Sequence, residues 1–325
     1  MCRQGAAAIA RDKRHIFWYR VTIISVALLQ GFEIMKFWQA INWMETEQLV
    51  EIARFAEALG FEGAMNADHA LLPVEVEAPY PYSADGKAPM HPDWPYPDCW
   101  ATIAAMAAVT SRLKFSSIVY VLPLRNPFEV AKATGTLAIL SNHRFILGAG
   151  IGWMKDEFDI YGVDFHTRGR RMDEMLSLMD KLWRGGTIEH QGEFFSCPPL
   201  RMEPAPGRPV PLFLGGASPA ALKRAARVAD GWIGAGNTPD SVPGVLAEFR
   251  RLRAEAGRAH LPFETVIGLT TPPDLDTFKR LADQGMTASM APPFFFTLGL
   301  KSSLDDKKRL MEKFARDFVV PLADR

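Results

Sequence analysis

Two hydrophobic periods take turns along this chain. Residues 36–41, Lys36-Phe37-Trp38-Gln39-Ala40-Ile41, alternate as a first strand. Residues 45–59 follow with Leu49, Ile52, Ala53, Ala56 and Leu59 at the spacing that gathers them on one helix face, and Gly60 stands where a C-cap belongs. Residues 61–67 then read as a second strand that ends at Asp68-His69. The same exchange continues with a helix over 99–110, a strand over 113–121, a helix over 126–140 and a strand over 144–150. An amphipathic helix over 168–183 lies between insertions at 151–166 and 185–210, the second of which suits a small hairpin around Gln191-Gly192. Strands over 211–214, 231–235, 264–269 and 286–290 alternate with helices over 220–229, 239–256, 275–284 and 304–319.

The strands are apolar almost throughout, as strands buried on both faces must be, so the sheet is parallel and covered by its helices. Eight strands and eight helices predict an α/β fold, a (β/α)8 TIM barrel with insertions at the C-terminal mouth. Such a barrel places its functional loops after the strands. Residues 73–97 form the longest of them. They are dense in proline and carry Tyr80, Tyr82, Trp94 and Tyr96, a composition that suits a substrate lid better than a plain surface loop.

Composition narrows the class. Apolar residues make up 48% and charged residues 23%, enough for a large core and far from a disordered chain. Lys plus Arg balance Asp plus Glu at 37 each, with no basic stripe, so a nucleic-acid partner has no electrostatic footprint. Cys2, Cys99 and Cys197 match neither a disulfide framework nor a zinc-ligand spacing, which favours a reducing, cytoplasmic setting without a metal. Arg11, Lys13, Arg14 and Arg20 precede an apolar run over 21–29, but that run falls short of the ~20 residues that span a bilayer. Residues 1–34 therefore read as an upstream extension outside the fold, with Met35 as the natural start of a domain over 35–325 and no membrane attachment.

Three local patterns carry chemistry. Gly215-Gly216-Ala217-Ser218-Pro219 joins a strand to a helix: it suits a phosphate held by backbone N–H groups, and equally a turn with Ser218 as N-cap and Pro219 at N1. Its late position in the barrel favours the phosphate. Gly148-Ala149-Gly150-Ile151-Gly152 lacks the G-x-G-x-x-G spacing and so excludes a Rossmann fingerprint, yet small residues at a strand end let a flat ring lie against the backbone. His69, at the end of the second strand, is placed for proton transfer near neutral pH; a structural role fits the pattern as well.

Five ordered segments resemble the luciferase-like monooxygenase superfamily, and especially its F420-dependent oxidoreductase branch. They are A-E-A-L-G-F-E-G-A-M-N-A-D-H (56–69), V-L-P-L-R-N-P (121–127), G-A-G-I-G-W-M-K-D-E-F (148–158), F-H-T-R-G-R-R-M-D-E-M (165–175) and P-L-F-L-G-G-A-S-P-A-A-L-K-R-A-A-R-V-A-D-G-W (211–232). The resemblance implies a flavin or deazaflavin ring across the strand ends with its phosphate at Gly215, Gly216, Ala217 and Ser218. It implies that Asp68 contacts the cofactor and that His69 is the acid/base. Ser117-Ile118 matches a non-prolyl cis peptide that backs the ring, and Gly150, Gly152 and Trp153 match the ring-side loop.

Trp153 stands where the family's sugar-phosphate dehydrogenases have a glutamate, which argues against that activity. Residues 136–144 read T-L-A-I-L-S-N-H-R where relatives usually have T-L-D-x-L-S-G-G-R, so Ala138 and Asn142-His143 remove a carboxylate and two glycines. Glu157, Arg168 and Glu174 also match family positions and read as an ion-pair clamp on the insertion. The resemblance therefore implies hydride transfer between F420 and a small organic substrate, with FMN and a monooxygenase as the alternative, a non-catalytic flavin-binding protein as a third reading, and a homodimer as the usual assembly. Lys223 and Arg224 are placed to meet the anionic tail of F420.

Overall fold

The computed structural model describes residues 35–323 apart from 82, 84 and 89; the expectations for residues 1–34 and for Tyr82 lie outside the described residues. Eight parallel strands close on themselves: β1 (Lys36–Ala40), β2 (Gly63–Asn66), β3 (Lys114–Ser117), β5 (Phe145–Gly150), β8 (Leu212–Gly215), β9 (Gly231–Asn237), β10 (Glu264–Leu269) and β11 (Ala288–Ala291). Each pairs with the next, and β11 returns to β1, where Phe37 lies opposite Ser289. This is the (β/α)8 TIM barrel that the alternation predicts.

Side-chain size fills the barrel. Trp38, Met65, Ile146, Phe213, Ile233, Val266 and Ala288 point inward and pack together. Trp38 is wholly buried, and a Cβ on Gly63 of the neighbouring strand would come within 2.2 Å of its indole, so glycine there makes the room. Emptying that space, as in Trp38→Ala, would cost about 3–5 kcal/mol. The outer faces of the strands are covered by helices whose ends follow local chemistry. Gly60 closes Leu49–Leu59 in a left-handed cap at φ +83°, and Asp98, Asn126 and Ser218 accept backbone N–H groups as N-caps of the helices that follow them.

Three expectations need correction. The strand over 113–121 breaks: β3 stops at Ser117, and the chain resumes as the two-residue strand β4 (Tyr120–Val121) beside the end of β5. The cis bond lies within that break at Ile118–Val119, one residue beyond Ser117-Ile118. The long C-terminal helix is also uneven, with α-helix over Leu304–Phe314 passing into a π-helical turn over Ala315–Val319. The hairpin expected around Gln191-Gly192 is present as β6 (Ile188–Gln191) against β7 (Ser196–Leu200).

Asn142 and His143 both hold left-handed backbone, at φ +52° and +59°, a conformation that glycine adopts without strain. A left-handed residue with a side chain costs roughly 1–2 kcal/mol, less for Asn. Part of that is offset locally, since His143 Nδ1 accepts the Arg208 Nε–H at 3.1 Å. Burial and the Arg208 charge hold this imidazole below its ordinary pKa, which keeps it a neutral acceptor.

Candidate active site

Asp68 and His69 follow β2 directly and so stand at the C-terminal mouth of the barrel. Their side chains part company there. Asp68 accepts the Val121 N–H at 3.0 Å, and both of its oxygens lie 3.1 Å from Arg125 Nη2. Burial pushes its carboxyl up, while the Arg125 guanidinium and the Val121 N–H pull it down. Arg125 is in turn seated over the Tyr120 ring at 4.9 Å. Asp68 is thus a strut tying the end of β2 to β4.

His69 is held from one side only. Its Nδ1 lies 3.1 Å from Glu157 Oε2, and the other Glu157 oxygen accepts the Ala70 N–H at 3.1 Å. Glu157 sits in the short helix Lys155–Ile160 and is 1% exposed. An ionised carboxylate has only acceptors to offer, so it places the hydrogen of His69 on Nδ1 and leaves Nε2 free. Among the described residues nothing else bonds to that ring. A buried carboxylate fixing one nitrogen of an imidazole whose other nitrogen has no protein partner among the described residues is compatible with proton transfer.

Aromatic rings surround the pair. Tyr96 meets His69 edge-on with ring centres 5.4 Å apart, and Trp153 does so at 6.3 Å. Tyr80 packs on Trp153 at 5.1 Å, and Trp43 donates its indole N–H to the Tyr96 hydroxyl at 2.6 Å. The 73–97 segment therefore does lie over the mouth. It is pinned there by Asp156, whose carboxylate accepts the Glu77 and Ala78 N–H groups at 3.0 and 3.1 Å.

Across the mouth the backbone dominates. Val119, just past the cis bond, lies against both Gly150 and Gly215: a Cβ on either would come within 2.4 or 2.8 Å of its methyl groups. Gly216 has φ +109°, its carbonyl accepts the Trp232 indole N–H at 2.9 Å, and Ser218 Oγ accepts the Ala221 N–H at 3.2 Å. The N–H groups of Gly216, Ala217 and Ser218 bond to nothing among the described residues, and Ala217 and Ser218 are exposed. Ser218 is therefore an N-cap, and three open N–H groups still stand at the head of the helix Pro219–Val228. These groups fit an anion followed by a flat ring.

Other expected residues have different work. Ser117 is fully buried, with its hydroxyl donating to the Gly148 carbonyl at 2.7 Å, so it joins β3 to β5. Ile118 and Val119 are half-buried against the barrel interior. Gly152, at φ +78°, lies where a Cβ would meet Val121.

The ion-pair clamp of Glu157, Arg168 and Glu174 does not form. Arg168 stacks on Phe165 at 3.6 Å, Glu157 holds His69, and Glu174 secures the hairpin through the Phe194 and Phe195 N–H groups and His190. Arg224, expected to be open to an anionic tail, is engaged by Asp173 at 2.9 Å. Trp43 and Glu157 are the residues whose place in the site the sequence concealed. No three His, Cys, Asp or Glu side chains among the described residues are grouped to hold a metal, and no helix there is long and apolar enough to cross a membrane.

A TIM barrel with a carboxylate-held histidine after β2 and open backbone N–H groups after β8 is a frame that enzymes use. The chain belongs to the luciferase-like monooxygenase family, whose model matches residues 33–274, and is an oxidoreductase of that family. An uncharacterised protein of Mycobacterium tuberculosis is 37% identical over 274 residues, 83% of this chain and 94% of its own length. The F420-dependent glucose-6-phosphate dehydrogenase of Amycolatopsis mediterranei is 30% identical over 189 residues, 57% of this chain and 52% of that one. The crystal structure of monooxygenase RslO1 from Streptomyces bottropensis superposes with a TM-score of 0.71 at 17% identity, covering 88% of this chain and 99% of that one, a likeness of fold.

Proposed function

We propose that this protein passes hydride between coenzyme F420 and a small organic substrate at the barrel mouth, with His69 as acid/base. The observation that carries the reading is the Glu157–His69 contact, which leaves Nε2 free beneath the aromatic segment. F420 supplies hydride transfer when bound, and the chain's residues supply placement and the proton. The open N–H groups of Gly216, Ala217 and Ser218 hold its phosphate. Gly150 and the Ile118–Val119 step offer backbone for the ring, and Gly152 and Trp153 form the loop beside it. His69 Nε2 delivers a proton to the substrate oxygen during reduction and removes it during oxidation, while Glu157 keeps the ring turned and stabilises the imidazolium. Tyr80, Tyr96 and Trp153 exclude water from the reacting atoms. Trp153, in place of a carboxylate, favours an apolar substrate over a sugar phosphate.

One observation favours FMN and oxygen chemistry as a second reading: Arg224 is paired with Asp173, so less positive charge remains for the oligoglutamate tail of F420. Titrating the purified protein with both cofactors at low and high ionic strength tests the choice. Tighter F420 binding that weakens with salt is the expected result, since exposed charges are screened over ~10 Å at 0.1 M. Tighter FMN binding would overturn it in favour of the second reading.

A further inference from the structure

The Tyr96 hydroxyl is oriented by its own neighbour. An indole N–H can only donate, so at 2.6 Å from Trp43 Nε1 the phenol oxygen must accept, and its own hydrogen is turned elsewhere. That hydrogen finds no acceptor among the described residues, although the residue is half-buried and packs edge-on against His69 with centres 5.4 Å apart. A phenol hydrogen that is turned away from its one protein partner at the mouth of the site is open to an acceptor atom of a ligand. Burial also pushes the phenol up from its ordinary pKa, which keeps the proton on at any working pH.

Trp43 is placed for this duty at some strain. Its φ is +61°, a conformation rare for a large side chain, and it is wedged between Trp94, at 5.2 Å, and Phe295, at 6.0 Å. The strain holds the indole where its N–H can fix the Tyr96 oxygen. Charge narrows the acceptor. Arg125, which closes the end of β2, is paired with Asp68, and the rings beside Tyr96 are aromatic, so the setting suits the oxygen of a neutral group.

We propose that Tyr96 is a catalytic residue that donates a hydrogen bond to the substrate oxygen beside His69 Nε2, and that the substrates are neutral, planar ketones and the corresponding alcohols. The proposal rests on the acid/base reading of His69. In the reducing direction the bound cofactor would supply hydride to the carbonyl carbon, and His69 must enter the step as the imidazolium, with a proton on Nε2 as well as on Nδ1. The C=O π pair moves onto oxygen, and that oxygen takes the proton from His69 Nε2. Tyr96 keeps its proton throughout and stabilises the developing alkoxide.

Infrared difference spectra of ¹³C-carbonyl-labelled acetophenone bound to the protein read this hydrogen bond without any turnover. The carbonyl band should lie at lower frequency in the wild type than in Tyr96→Phe. Trp43→Phe, which removes the indole N–H and keeps the phenol, should broaden the band but leave it low, separating donation by Tyr96 from displacement of its neighbour. With reduced F420 present, Tyr96→Phe should lower kcat about 10²-fold with little change in KM, the effect of removing one oxyanion donor. A band unmoved by Tyr96→Phe, or no bound carbonyl band in the wild type, overturns the proposal. Turnover that survives His69→Asn while the Tyr96-dependent band persists would instead overturn the acid/base reading and leave Tyr96 standing.

Discussion

The turns after β2 and β8, three strands apart around the barrel mouth, are built on opposite plans. After β2 the atoms proposed to act belong to side chains, His69 and Tyr96, each held on one side by a neighbour from a distant part of the chain. After β8 they belong to the backbone, and the side chain present, Ser218, already caps its own helix. The contrast suggests a division of labour. Side chains carry proton chemistry that must suit a particular substrate, whereas backbone N–H groups offer a fixed positive surface that suits any phosphate-bearing cofactor.

The largest test of that division is His69→Asn, which keeps shape and a hydrogen bond to Glu157 but removes proton transfer near neutral pH. Turnover should fall about 10²–10⁴-fold with cofactor affinity unchanged, as steady-state rates and a cofactor titration would show. Comparable losses in both measurements would mean the two turns are not separate. Gly216→Ala probes the other side. At φ +109° an alanine is strained by roughly 1–2 kcal/mol, and its Cβ would lie 2.9 Å from that of Ala221, so the turn must shift. Cofactor affinity should drop about tenfold, the equivalent of ~1.4 kcal/mol, while turnover at saturation holds.

Glu157→Gln sharpens the β2 side. The amide oxygen can keep the Ala70 N–H, but the NH2 then faces His69 Nδ1 and favours the tautomer that accepts there and carries its hydrogen on Nε2, the reverse of the arrangement the carboxylate imposes. Turnover should fall about tenfold, with cofactor binding unaltered. A rate equal to that of the wild type would show that Glu157 anchors the turn without orienting the imidazole.

Much of this barrel is legible in the sequence because its signals are local. The helix face from Leu49 to Leu59 with Gly60 behind it, and Ser218-Pro219 at the head of a helix, each announce themselves within a few residues. What stayed hidden is pairing at long range. Glu157 is separated from His69 by 88 residues, and Asp173 from Arg224 by 51. Identity and spacing say that such groups are charged, but only the folded chain says which partner each has found. The break after Ser117 was hidden for another reason: Ile118-Val119-Tyr120-Val121 continues an apolar run, and hydrophobic pattern cannot distinguish an unbroken strand from one interrupted by a single step.

The smallest effect decides whether the β8 turn is truly backbone alone. Ser218 Oγ accepts the Ala221 N–H, which leaves its hydroxyl hydrogen free to meet an anion, so one atom can cap the helix and donate to a phosphate at once. Ser218→Ala removes both functions. Losing the cap costs about 1 kcal/mol, which for a chain of this size lowers Tm by roughly 2–4 °C in calorimetry of the cofactor-free protein. Ser218→Gly separates the two roles, because glycine caps within a few tenths of a kcal/mol of serine yet has no hydroxyl. If the backbone does the binding, Ser218→Gly should keep both Tm and cofactor affinity close to wild type, and Ser218→Ala should lose mainly Tm. An equal, several-fold loss of affinity in both variants would show that the hydroxyl touches the anion, and the β8 turn would then share the side-chain plan of its counterpart.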